Sequence, residues 1–365
     1  EDYFAQPQFD IFGNTGAGAG RIMKKLFNSA ETMVDDMLDG FVSAYPQVKR
    51  GVSDPRVIIR DCNTKDADEK VTLLIGNGSG HEPIAMGFVG QGLLDANVVG
   101  DVFAAPSADL ILDGITEVTG KAGSILLISQ HSGDMINGRA ATMMAQDDGI
   151  NVLHLPMYDD ISAAPPERKQ DRRGAPGTMF IYKIVGAAAE EGMPLQALFD
   201  LGEAVRDRIV TLAAAVSPGV SPLTGLPMFS LPEDEIFLGM GVHGEPGVGR
   251  VKVGPIAELV TLMLDKLLAD RPIAKGGRAC VIINGMGGTT MMEQLTIWNE
   301  THAQLAALGI TAIAPMIGSY VTTQEMGGFS ISLLEPTDDM LAYWCAPSDT
   351  PAFPDISCDA MDTST

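Results

Sequence analysis

Residues 71–83 read V-T-L-L-I-G-N-G-S-G-H-E-P, and the way this stretch folds decides the architecture. Its first five residues have the length and apolar, β-branched character of a buried strand. Gly76, Gly78 and Gly80 then open a turn, and glycine lets other atoms come close to the backbone. A strand running into a glycine turn ahead of a helix is the unit of an open α/β sheet, whose ligands bind at the carboxyl ends of the strands. Working outward, S-I-L-L-I (124–128) and N-V-L-H-L (151–155) are further buried runs, separated by helical patterns at 107–115 and 140–145. This alternation predicts a largely parallel sheet in the first half. Ahead of it, Met33, Val34, Met37, Leu38, Phe41 and Val42 keep helical spacing, with Ser29 as the expected cap.

Beyond the first sheet, Thr178 to Gly192 is alanine-rich and helical, G-M-P (192–194) breaks it, and a second helix is expected from Leu195 to about Val216. Residues 217–227 read as a loop, 235–241, 279–284, 310–314 and 329–334 as strands, and 255–268 as a helix. The chain's 365 residues are long for one core. The expected fold is therefore two α/β domains, each a mainly parallel or mixed sheet flanked by helices. Their expected bounds are a flexible extension at 1–22, an N-terminal domain at 23–194, a C-terminal domain at 195–354 and a tail at 355–365.

The composition, 45% hydrophobic and 19% charged, is that of a globular chain, and no run of 18 apolar residues suggests a membrane span. The first 22 residues lack the basic start and apolar block of a secretory signal. A formal charge of -23 repels nucleic-acid phosphates and anionic membranes, so neither is expected as a partner. Cys62, Cys280, Cys345 and Cys358 are far apart and form no C-x-x-C, so neither a metal site nor a disulfide framework is expected, and a cytoplasmic location fits.

Three strand-end turns carry the candidate chemistry. In 76–83, His81 stands where a dinucleotide fingerprint needs its third glycine, and no G-K-[ST] follows. The bland reading is a tight turn with a histidine capping it. In I-S-Q-H-S-G-D-M-I-N (128–137), Asp134 sits at the tip, where it would ordinarily cap the next helix, and His131 would line the turn. In G-M-G-V-H-G-E-P-G (239–247), His243 stands among glycines, and its bland reading is a half-buried ring bonded to backbone. Converging, the three would make a site. A neutral imidazole can add to a small ketone carbon, and an aspartate beside the adduct can take a hydroxyl proton. There is no P-loop, H-R-D or D-F-G set, so a phosphoryl donor would have to come from elsewhere.

Taken in order, M-K-K-L-F-N (23–28), G-N-G-S-G-H-E-P (76–83), G-F-V-G-Q-G (87–92), G-D-V-F-A-A-P-S (100–107), S-G-D (132–134), G-V-H-G-E-P-G (241–247), N-G-M-G-G-T (284–289) and G-F-S-I-S-L-L (328–334) resemble the substrate-binding (K) subunit of dihydroxyacetone kinase. The resemblance runs from Met23 to about Pro354. It implies that His243 binds a ketone carbon covalently as a hemiaminal, that Asp134 acts on the hydroxyl receiving phosphate, and that His81 hydrogen-bonds the substrate. It implies substrate contacts at Gly78, Ser79, Gly80, Ser129 and His131, with the glycines leaving clearance. No metal or cofactor is expected on this chain. ATP-Mg or ADP-Mg is expected on a separate nucleotide-binding L subunit, since the chain stops at Thr365 where the K domain normally ends. A homodimer is expected as well.

One departure bears on the substrate. The resembled family usually carries a lysine-asparagine-tyrosine run before its S-G-D turn, and here Ser129, Gln130 and His131 stand there, with Arg139 five residues past Asp134. A larger ketose than dihydroxyacetone, such as a tetrulose, or an acidic analogue is an alternative substrate. Two other functions stay open: a ketose sensor acting on a transcription regulator, and a stand-alone isomerase of a small keto sugar or its phosphate. Asp134 favours the kinase over the sensor, because a sensor needs the histidine but not the base.

Overall fold

The computed structural model describes residues 24–62, 69–245, 247–356 and 358. The expected extension at 1–22 and most of the expected tail lie outside the described residues.

The first sheet holds β1 (Val48–Arg50), β2 (Val57–Arg60), β3 (Thr72–Ser79), β4 (Ala96–Val102), β5 (Ser124–Ile128) and β6 (Val152–Pro156) in the order β1-β2-β4-β3-β5-β6. β4, β3, β5 and β6 run parallel, and β1 and β2 add an antiparallel edge. α2 (Ala108–Val118) and α3 (Ser132–Asp147) cover one face through Ile111, Ile115, Ala141 and Ala145. The second sheet has the order β11-β10-β12-β7-β8-β9, from β7 (Ile209–Ser217), β8 (Glu235–Leu238), β9 (Gly249–Lys252), β10 (Arg278–Gly285), β11 (Thr311–Gly318) and β12 (Gly327–Leu334). Only its β10 and β11 pair in parallel. α6 (Ile256–Asp270) and α7 (Met291–Ala307) cover its outer face, meeting Ala279, Val281 and Ile283 of β10. Cys280 and Ile282 alternate to the other face and join the core shared with the first sheet.

α4 (Thr178–Glu190) fills the space between the sheets, with α1 (Met33–Ala44), α5 (Leu195–Arg206) and α8 (Asp338–Trp344) beside it. Met179 through Ala189 of α4 are all buried, which is why the helix is apolar or small nearly all round; the exception, Lys183, donates its Nζ to Tyr343 O at 3.1 Å. α5 packs on α4, β5 and β6, and the chain crosses to the second sheet at β7.

Three expectations need correcting. The second helix stops at Arg206, and residues 209–216, read as its continuation, belong to the central strand β7 between β12 and β8. Alanine favours helix by propensity, but Ala213, Ala214 and Ala215 are buried in the sheet, and burial overrides it. α1 begins after Thr32; the Ser29 hydroxyl accepts the Thr32 N–H (3.1 Å) in a turn ahead of the helix. Cys345 and Cys358 form a disulfide, because the chain doubles back past α8 and packs Phe353 against Trp344.

Two loops tie the sheets together. The segment leaving β3 meets the segment leaving β11 through Thr322 N–H to His81 O (3.2 Å), Ile84 N–H to Tyr320 O (3.1 Å) and Gln324 N–H to Gly80 O (3.3 Å). Thr322 Oγ1 donates to Glu82 O at 2.8 Å. Asn284, fully buried on β10, shapes the second loop: its Oδ1 accepts Tyr320 and Val321 N–H at 2.9 Å each, and its Nδ2 donates to Val321 O at 2.9 Å. Asn284→Leu should therefore orphan the buried Val321 N–H and the half-buried Tyr320 N–H and lower unfolding stability by about 2 kcal/mol, measured by urea titration. A loss below about 0.5 kcal/mol would mean that the loop holds without Asn284.

Candidate functional site

The ends of three strands surround one cavity of about 560 Å³. β3 contributes Asn77, Gly78 and, just past its end, His81; the β5-to-α3 turn contributes Ser129, Gln130, His131 and Asp134; the turn after β8 contributes His243 and Glu245. Gly78 lines the wall because the chain at Ala104 passes so close that a Cβ would stand 2.8 Å from its N and O. Ser79 and Gly80 stand behind the wall: Ser79 Oγ donates to Gly100 O (2.6 Å), and Gly80 N–H goes to the Glu82 carboxylate (2.9 Å). Arg139 is exposed on α3 and outside the cavity. Asp134 lies in the first turn of α3, but its carboxylate accepts from Ser129 Oγ at 2.5 Å, so its side chain is turned back toward β5.

The hydrogen bonds dictate which ring nitrogens carry protons. His81 Nδ1 lies 2.7 Å from Thr322 O, a pure acceptor, so it carries the proton and Nε2 is a lone pair. That lone pair faces His243 Nε2 at 2.9 Å. On its other side, His243 Nδ1 lies 3.1 Å from Glu245 Oε1, while Glu245 Oε2 accepts the His243 backbone N–H at 2.9 Å. A neutral His243 can donate to His81 or to Glu245, not to both. His131 Nδ1 lies 3.1 Å from Ser129 Oγ, whose proton goes to Asp134, so Nδ1–H donates to Ser129 and Nε2 is left as a lone pair. That Nε2 is buried without a hydrogen-bond partner.

Burial sets the charges. It pushes His81 down to about 3, helped by His243, and His131 down to about 4, again with His243 adding to it. Both rings are thus neutral at pH 7. Burial raises Asp134 to about 6 against the opposing bond from Ser129. Burial also works to raise Glu245, but the hydrogen bond and charge of His243 outweigh it and hold the carboxyl well below the usual range.

Several lining residues escaped the reading of the sequence. Glu245 was visible in H-G-E-P-G, yet nothing in the spacing shows that it folds back onto His243. Arg173 donates from Nε to Asp160 Oδ2 (2.8 Å) and from Nη2 to Gly239 O (3.2 Å), and its Nη1 lies 3.9 Å from Glu245. The R-R-G run at 172–174 was its only signal. Phe103 packs its ring against His81 and His243, with centroids 5.2 and 5.7 Å away. Phe103 and Gln130 hold φ of 58° and 62°, left-handed values that non-glycine residues adopt at a cost and that cluster at functional sites.

A Dak1 domain model matches residues 39–352. The chain is 39% identical over 317 residues to the dihydroxyacetone-binding subunit DhaK of a PTS-dependent dihydroxyacetone kinase of Listeria innocua, covering 87% of this chain and 95% of that one. It is 35% identical over 331 residues to a D-erythrulose kinase of Mycolicibacterium smegmatis, covering 91% of this chain and 56% of that protein. Among solved structures it is similar to the dihydroxyacetone kinase operon co-activator DhaQ, with a TM-score of 0.81, 29% identity, and coverage of 87% of this chain and 97% of that one.

Asp134, held at about 6 against an ordinary value near 3.9, has a sign that can be tested. Between these values the folded chain binds a proton that the unfolded chain has lost, so stability falls as pH rises through the window. Asp134→Asn should raise unfolding stability at pH 8 by on the order of 2 kcal/mol, and the gain should shrink toward pH 4. A gain that is equal at both pH values would show that the carboxyl is not strained.

Proposed function

The chain belongs to the Dak1 family, and we propose that it is the substrate-binding subunit of a ketose kinase, holding a short ketose on His243. The observation that carries this is the line Thr322 O–His81–His243–Glu245 on one side of the cavity, with Asp134 bordering the same space. A carboxylate behind an imidazole orients the ring and supports its nucleophilic form, as in other activated-nucleophile sites.

In the proposed reaction, His243 donates Nδ1–H to Glu245, and its ring turns so that the Nε2 lone pair swings from His81 Nε2, 2.9 Å away, toward the cavity. A ketose carbonyl entering beside His81 is attacked at carbon. The C–N bond forms as the C=O pair moves to oxygen; that oxygen takes a proton from water and Nδ1 releases its own to water past Glu245, so the hemiaminal forms with no net gain or loss of protons. The new hydroxyl donates to His81 Nε2, whose tautomer Thr322 O holds. Glycerol, without a carbonyl, is rejected. Asp134 as carboxylate then takes the proton of the terminal hydroxyl as that oxygen attacks the donor phosphoryl group. That group comes from a separate nucleotide-binding L subunit carrying ATP-Mg or ADP-Mg, and the chain acts as a homodimer. Dihydroxyacetone and erythrulose are the proposed substrates, matching the substrates in the relatives' names. A second reading, a ketose-responsive co-activator, is favoured by the likeness to DhaQ; it shares ketone capture but not phosphoryl transfer.

Intact-protein mass spectrometry after incubation with dihydroxyacetone or erythrulose should show a ketose-sized gain, trapped with borohydride if labile and lost in His243→Ala. No gain with any short ketose would sink the reading. With L subunit and donor supplied, Asp134→Asn should keep the adduct but slow transfer by roughly 10²–10⁴-fold. Transfer by the native chain should fall as pH drops below about 6, where Asp134 takes up its proton. An adduct with no transfer from any charged L subunit would establish the co-activator instead.

A further inference from the structure

We propose that His131, His243 and Glu245 form a binding site for a divalent transition-metal ion of the zinc class, in competition with the ketose. One donor atom from each of the three lies within 4.8 Å of the others. His243 Nδ1 is 3.1 Å and His131 Nε2 3.9 Å from Glu245 Oε1. Bonds of about 2.0–2.2 Å in a tetrahedral site put neighbouring ligand atoms roughly 3.4 Å apart, so the donors must draw in around the ion, the widest pair by up to about 1.4 Å.

The proton positions point the same way. When His243 donates Nε2–H to His81, its Nδ1 becomes a lone pair facing Glu245. His131 Nε2 is already a buried lone pair with no partner, an arrangement that calls for a ligand. Two imidazole lone pairs and a carboxylate oxygen then converge on one point. Each ligand is backed by an outer hydrogen bond: Ser129 on His131 Nδ1, His81 on His243 Nε2, and the His243 backbone N–H on Glu245 Oε2. Such outer partners orient metal ligands and raise their basicity. Arg173, 3.9 Å from Glu245, opposes a cation, but its Nε is bonded to Asp160, and Asp134, Asp171 and Glu245 line the same cavity, so carboxylates outnumber the one guanidinium among the described lining residues.

Two nitrogens and one oxygen suit zinc, cobalt or nickel rather than magnesium or calcium. A fourth position facing the cavity stays free for water or a small ligand. An ion on Nδ1 keeps the proton on Nε2, the atom that would attack the ketone. The competition rests on the ketose-kinase reading; the binding does not.

The test titrates the chelator-stripped full chain with Co²⁺, following its visible absorption, and then displaces it with Zn²⁺. His131→Phe and Glu245→Gln should each weaken Co²⁺ binding by more than tenfold, while His302→Gln, on the exposed face of α7, should leave it unchanged. Circular dichroism and melting curves check that the variants fold; should one fail, the other carries the test. Dihydroxyacetone should weaken apparent Zn²⁺ affinity in the native chain. Absence of a Co²⁺ band, or equal affinity in native chain and folded variants, overturns the site. Metal binding lost in the variants, but with no ketose adduct and no competition, keeps the site and overturns the ketose reading.

Discussion

The hydrogen bonds between residues 80–84 and 320–324 are the constraint on which the rest depends. Among the described residues the two sheets share no ladder, yet the cavity draws His81 from one and His243 from the other. A short backbone pairing between a β3 exit loop and a β11 exit loop supplies that registration. Gly80, at φ +102°, has no room for a Cβ beside the Phe103 ring, so the turn that presents His81 tolerates only glycine. α4, buried on all sides, sets the distance between the sheets, and Asn284 fixes the second loop from β10. His81 therefore inherits its orientation from secondary structure on both sides of the molecule.

That orientation propagates. Because Thr322 O takes the Nδ1 proton, His81 can only accept at Nε2. His243 sits between this acceptor and the Glu245 carboxylate, a second acceptor. A neutral ring there can donate to only one of the two, and the choice has chemical content. With the proton on Nδ1, Nε2 is a nucleophile toward the cavity. With the proton on Nε2, Nδ1 and the neighbouring His131 become metal ligands. The two proposals thus divide one ring by the position of a single proton.

The fold was legible where strands are continuous apolar runs. β3, β5 and β10 show this, because strands buried on both faces lose the alternation of a half-exposed sheet but keep the run. β7 was misread because three alanines speak for helix while the sheet's crowded centre wants small side chains. The glycine turns exposed His81, Asp134 and His243, since glycine clusters mark places where backbone must approach something. Glu245 and Arg173 were not legible in role: their partners come from other segments brought together only by the fold. Ser79, an expected substrate contact, spends its hydroxyl on Gly100 O, a choice set by the neighbouring strand β4. The disulfide escaped for a related reason, as nothing local announces the reversal after α8.

The charges in the cavity also say what the chain needs from a donor. His81 and His131 are neutral at pH 7, and Arg173 is held by Asp160. Glu245 is anionic, and Asp134 loses its proton above about pH 6. This environment suits addition to an uncharged ketone, which develops its charge on an oxygen beside His81. It does not suit a phosphoryl group, whose negative oxygens would meet three carboxylates, Asp134, Asp171 and Glu245, and, among the described lining residues, one guanidinium, Arg173, already paired with Asp160. In the proposed transfer, the positive charge that stabilises the phosphoryl group must therefore arrive with the donor. Under that proposal the division of labour follows from electrostatics: this chain would supply a neutral-to-negative pocket for the carbonyl, and the partner would bring the cation together with the phosphate.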